Sequence, residues 1–377
     1  MRSTRAVYAM AATMTSIGWG ILYAFASKHI SYDLGGGTDA YMVFVGLNWL
    51  FTAASVFSGT LARGLGARNI VLVGLLNSVL ILLATAIHEP YTLSVVIALT
   101  ALPWALSWPS VLSAVFSRAR GGLGQEYSLF TIGSGVGWML GSLMSGFLYN
   151  IGGESLVYVL SALMVSLPFA FFYALYPDSG DSGRSNGGGV TEAFKILKLC
   201  LLAVTLASFA RELAFSFGPE KLSKELESLV AGDQKLLSIL YGAVYAGGAL
   251  VSPIARLAAG RIADRYGPKK LYIASIISYI AFYWAFISSK GVVPLILWQI
   301  PLYPFQDTAV NTYIASRTPE KLRISAFGLL TAFTSIGGFL VAIVPILGLG
   351  DAMKSGAIIT IASVIAITLL LYEGRSG

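Results

Sequence analysis

Polar and charged residues punctuate this chain at regular intervals, and between them the sequence is almost wholly apolar. Each apolar run is long enough to cross a hydrocarbon core of about 30 Å as a helix rising about 1.5 Å per residue. The pattern predicts twelve such helices, over 6–28, 39–62, 70–87, 92–117, 126–150, 154–176, 195–217, 236–258, 270–288, 292–316, 324–348 and 352–372. Segments of about ten residues with alternating polarity, the mark of a membrane β-barrel, do not occur. The expected fold class is an all-α membrane protein.

Composition agrees: of 377 residues, 56% are hydrophobic and 11% charged, against about 25% charged in soluble domains. One cysteine, Cys200, and two histidines, His29 and His88, leave no disulfide framework and no His/Cys metal centre. No cofactor is expected, and no glycine-rich phosphate loop with its lysine is present to power the chain by nucleotide. The net charge of +7 comes from small basic groups between the apolar runs, such as Arg63 with Arg68 and Lys269 with Lys270, rather than from one stripe for nucleic acid. If both termini are cytoplasmic, most of these groups fall on the inner loops, as the positive-inside rule asks. A cell-membrane location with that orientation is therefore expected. Ala24-Phe25-Ala26 has the form of a signal-peptidase site, but a first run long enough to span argues for retention.

The polar, glycine-rich stretch at 177–192 divides the chain into residues 1–176 and 193–377, with six predicted helices each. After the seventh span, 219–235 carries Leu222, Leu226 and Leu229 on one helical face and acidic or basic residues elsewhere, as in a helix lying on the membrane surface. The two parts repeat one another. Gly59–Arg68 follows the second span as Gly260–Lys269 follows the eighth, and Ser117-Arg118 ends the fourth as Ser316-Arg317 ends the tenth. Internal repeats of this size mark many transporter folds.

The segment Gly260-Arg-Ile-Ala-Asp264-Arg265-Tyr-Gly267-Pro-Lys269-Lys270 resembles the cytoplasmic loop signature of the major facilitator superfamily. That resemblance implies two pseudo-symmetric six-helix bundles and transport by alternating access, with helices one, four, seven and ten around a central cavity. It also implies that Gly260, Asp264, Arg265, Gly267 and Lys269 latch the cytoplasmic side of the outward-facing state. The first-half copy departs from the pattern, with Arg63 where the aspartate belongs and Ala67 where a basic residue is usual.

Ionisable groups inside a span are costly and are functional candidates by default. Arg211 and Glu212 lie in span seven, and Asp307 lies in span ten beside Gln306 and one turn before Asn311. Neighbouring residues point about 100° apart on a helix, so Arg211 and Glu212 are expected not to pair. Depth argues against a direct Arg211–Asp307 bridge. The alternative for all of these groups is structural hydrogen bonding. Pro103, Pro109, Pro301 and Pro304 predict kinks in spans four and ten. Trp19, Tyr23, Trp104, Trp108 and Tyr303 are candidates for an aromatic lining, with lipid contact or packing as the alternative. Gly133, Gly137 and Gly141, spaced by four, allow another helix to come close, and span eight, through Gly242 and Ala246, is the partner that the resemblance implies.

The function expected is secondary or facilitative transport of a small organic solute by a monomer embedded in lipid, with or without a proton. The alternative is a membrane receptor or scaffold that does not transport. No nucleophile–base pair or metal cluster suggests an enzyme.

Overall fold

The computed structural model describes residues 2–117, 123–176, 189–230, 233–319 and 323–373, and among these every regular element is helical. In chain order the α-helices are α1 Arg2–Lys28, α2 Gly37–Thr52, α3 Ser58–Leu65, α4 Ala67–Val71, α5 Leu76–Leu83, α6 Pro90–Leu99, α7 Ala101–Ser117, α8 Leu123–Ala174 and α9 Gly189–Ser216. They continue with α10 Gly218–Val230, α11 Gln234–Tyr266, α12 Pro268–Ser288, α13 Val292–Trp298, α14 Leu302–Arg317, α15 Arg323–Leu340, α16 Ile343–Ile346 and α17 Ala352–Glu373. Of the predicted linker, residues 177–188 lie outside the described residues.

Ten stretches among the described residues are long and apolar enough to cross a membrane. One of them, Gly133–Ala174, has 42 residues, about twice what a crossing needs. It holds spans five and six, divided where Gly152 and Gly153 leave helical geometry, the latter at φ +65°. Span ten is missing from the ten because it is interrupted. Proline explains that break and the one in span four, since its ring clashes with the carbonyl four residues earlier. Pro103 therefore stops α6 at Leu99, and Pro301 with Pro304 separates α13 from α14. With these two adjustments the helices account for the twelve predicted spans.

The chain divides into two compact units, 1–180 with 219–250, and 181–218 with 251–377. The surface helix α10 and the start of α11 thus group with the first unit rather than with the part that follows them in sequence. Glu220 of α10 accepts hydrogen bonds from Thr38 N and Oγ at 2.7 and 2.6 Å, capping the start of α2, and it also pairs with Lys224. Burial raises the Glu220 pKa, but the bonds from Lys224 and Thr38 outweigh it and hold the carboxyl below its ordinary value.

Inside the first unit α1 lies against both halves of α8. A Cβ at Gly133, Gly137 or Gly141 would strike Thr13 or the Thr13 and Ile17 carbonyls, and one at Gly18 would strike Val165. The glycine row therefore faces span one rather than the expected span eight. Contact with α11 comes one turn further on, where Gly146 meets Ser238 O and Gly242 meets Ser142 O.

The second unit repeats this joint atom for atom. A Cβ at Gly137 would meet Thr13 O, Ser16 Cβ and Ile17 N, while one at Gly337 would meet Thr205 O, Ser208 Cβ and Phe209 N. In both units the threonine hydroxyl bonds back one turn, to Ala9 O and to Leu201 O. Because the atoms in the way are mainly backbone, neither side can yield. Gly137→Val and Gly337→Val are each expected to cost about 1–3 kcal/mol by overpacking, read as a lowered Tm of the purified protein. The loop after each second span is duplicated as well. Gly66 and Gly267 adopt φ/ψ of 86/135° and 90/138°, and each N–H bonds to the carbonyl four residues back at 2.9 Å.

Candidate substrate site

The charged groups predicted from spans seven and ten meet in the second unit. Arg211 is buried at 6% exposure. Its Nε and NH2 both reach Glu212 Oε1, at 2.8 and 2.7 Å, and its NH1 donates to Gln306 Oε1 at 3.1 Å. The expectation that Arg211 and Glu212 would not pair is overturned. A 100° offset between Cα positions is spanned by the long arginine stem, and inside a low-dielectric bundle the guanidinium finds its nearest carboxylate.

Asp307 is held by a different arginine. Arg256, from α11, places NH1 2.8 Å from Asp307 Oδ2, and Asn311 Nδ2 donates to Oδ1 at 3.1 Å. Between the two arginines stands the Tyr303 ring, 5.3 Å from the Arg211 guanidinium carbon and 5.8 Å from that of Arg256. Both distances suit cation–π attraction. The contrast between the arginines is exposure. The Arg256 side chain is 48% accessible and that of Asp307 30%, while Arg211 and Gln306 are shut in. Arg256 was not among the sequence candidates, although the rule on ionisable residues in a span applies to it. It sits two residues before the predicted end of span eight, where a positive charge reads as topology.

The aromatic candidates fall into separate groups. Trp19, Tyr23, Phe44 and Trp138 gather in the first unit, with Tyr23 at 5.5, 5.4 and 5.6 Å from the other three rings. Asn48 Nδ2 donates to the Tyr23 hydroxyl at 2.5 Å, whereas the buried Trp19 Nε1 has no hydrogen-bond partner among the described residues. Trp104 and Trp108 stack on each other at 5.5 Å. Tyr303 belongs to the arginine site of the second unit.

In the loop signature Gly267 uses its positive φ for the turn, while Gly260 has open space where a Cβ would sit. Arg265 lies over the Tyr266 ring at 5.2 Å, and Lys269 is half-buried. Asp264 is exposed and makes no ion pair among the described residues. In the first-half copy Arg68 donates to Tyr173 O and covers that ring at 4.6 Å, tying the start of span three to the end of span six.

Twelve apolar spans in two similarly jointed units define a multi-pass helical membrane protein. The chain belongs to the Major Facilitator Superfamily, whose family model matches residues 8–342. As a member of that family it transports a solute and is not an enzyme. Among solved structures it is similar to the nucleoside transporter NupG, at 12% identity and TM-score 0.77 over 99% of this chain and 98% of that one. A bacterial homologue of the human lysosomal transporter Spinster is similar at 15% identity and TM-score 0.71, over 99% and 97%. Identities this low establish a shared fold. No curated protein sequence matches the chain.

Proposed function

We propose that this protein carries a small organic anion by alternating access, and that Arg256 is the group that meets the anion. One observation carries the reading: of the two arginines flanking Tyr303, Arg256 is accessible and holds a carboxylate from its own unit, while Arg211 is buried and satisfied. A solute carboxylate or phosphate matches the chemistry that Asp307 already offers to the guanidinium, and Tyr303, 44% exposed, offers a ring face to its organic part. Arg211, Glu212 and Gln306 form the framework that positions Tyr303.

Asp307 and the solute then compete for one guanidinium. A proton on Asp307 removes the competitor, so proton binding and anion binding favour each other, which is the thermodynamic basis of symport. The basic inner loops support an orientation with both termini in the cytoplasm of a cell membrane, and the loop at Gly260–Lys269 is the proposed latch of the cytoplasmic side. Each chain is proposed to act alone.

The test is a thermal-shift panel on purified protein with amino acids, monocarboxylates, dicarboxylates, sugar phosphates, nucleosides and uncharged sugars. Stabilisation by an anionic member, stronger in Asp307→Asn than in the wild type because the competing carboxylate charge is gone, is the expected result. Stabilisation by uncharged members alone would sink the anion reading.

A further inference from the structure

Tyr23 is the centre of an uncharged group in the first unit. Trp19 and Tyr23 come from α1, Phe44 and Asn48 from α2, and Trp138 from α8. Three spans thus meet at the Tyr23 ring, which has the other three rings at 5.5, 5.4 and 5.6 Å. Trp19 and Phe44 are buried, whereas Tyr23, Asn48 and Trp138 are part-exposed. The group is therefore not sealed.

Every polar handle in it is underused. Trp19 is 8% exposed, and its indole N–H has no hydrogen-bond partner among the described residues, although buried indole N–H groups ordinarily find one. The Tyr23 hydroxyl accepts from Asn48 Nδ2, which leaves its own proton unused among the described residues. Asn48 Oδ1 likewise accepts nothing among them. Packing alone would be served by phenylalanine at 19 and 23 and leucine at 48, with no stranded donor to offset. Two idle donors, an idle acceptor and several rings are instead the make-up of a small-molecule site, where aromatic walls carry a few polar groups.

We propose that these five residues form a subsite for a hydroxylated aromatic ring, the organic part of the anion carried. Stacking on Tyr23 and Trp138 would hold such a ring, and its hydroxyl would accept from Trp19 or Tyr23 and donate to Asn48 Oδ1. A saturated ring has no π face to offer. A bare aromatic ring leaves the three polar groups unpaired, and a site built to bond a hydroxyl rejects the analogue that lacks it for that reason. The identity of the ring as part of the carried anion rests on the function proposed above; the subsite itself draws on no residue of the second unit.

The test compares dissociation constants of the purified protein for 4-hydroxybenzoate, benzoate, cyclohexanecarboxylate and the uncharged 4-hydroxybenzamide. Among the acids 4-hydroxybenzoate should bind tightest and cyclohexanecarboxylate weakest. About fivefold is expected between 4-hydroxybenzoate and benzoate, the worth of one net hydrogen bond. Trp19→Phe and Asn48→Leu should each bring that ratio towards one. A merely structural role for either residue would weaken both acids alike and leave the ratio unchanged, and each variant serves where the other fails to fold. 4-Hydroxybenzamide bound as tightly as 4-hydroxybenzoate would support the ring subsite while contradicting the anion reading. Cyclohexanecarboxylate bound as tightly as 4-hydroxybenzoate, a ratio unmoved in both variants, or no binding by either hydroxylated ring would overturn the subsite.

Discussion

Arg256→Gln should abolish solute binding while leaving the protein folded. The side chain is half-exposed, and its bridge to Asp307 is partly open to water. Such pairs contribute about 0–1 kcal/mol to stability, so Tm should move by no more than a few degrees. Against a solute anion the same guanidinium is worth far more. Truncating one partner of a desolvated charge pair across an interface costs about 2–5 kcal/mol, which is at least about 30-fold in Kd. Measuring Kd and Tm on the same preparation separates the two effects. A Kd unchanged in Arg256→Gln would remove Arg256 from the site.

Arg211→Ala should do the reverse, acting first on the fold. The guanidinium is buried among Glu212, Gln306 and the Tyr303 ring. Its removal leaves the Glu212 carboxylate, whose side chain is 17% exposed, without its counter-charge. Breaking a buried pair in this way costs about 3–5 kcal/mol. Thermal unfolding should show a large loss for Arg211→Ala and a recovery in Arg211→Ala/Glu212→Gln, because the double change removes the stranded charge. No recovery would mean that the stranded Glu212 charge is not the source of the loss.

The sequence carried the large-scale organisation because membrane helices announce themselves locally. Run length, the prolines at 103, 301 and 304, and the glycine at the end of each loop copy were all readable without a structure. The repeated joint was legible too, as Thr13-x-x-Ser16 and Thr205-x-x-Ser208, but only the glycines opposite reveal that these are contact surfaces. What failed was pairing. Helical offset misjudged Arg211 and Glu212 because it locates Cα atoms and not the end of a flexible stem. The partner of Asp307 lies 51 residues away on another helix. The glycine row on α8 lies against α1, whereas the resemblance pointed to span eight, because small residues admit any helix that comes near and do not choose between them.

The most direct test of the account is uptake into proteoliposomes of the anion that scores in the thermal-shift panel, measured for the wild type and Arg256→Gln with the interior more alkaline than the exterior. The wild type should accumulate the anion, collapse of the pH difference should lower the accumulation, and Arg256→Gln should transport none while reconstituting normally. A wild type that binds the anion without carrying it across, or an Arg256→Gln variant that transports it as well as the wild type, would contradict it.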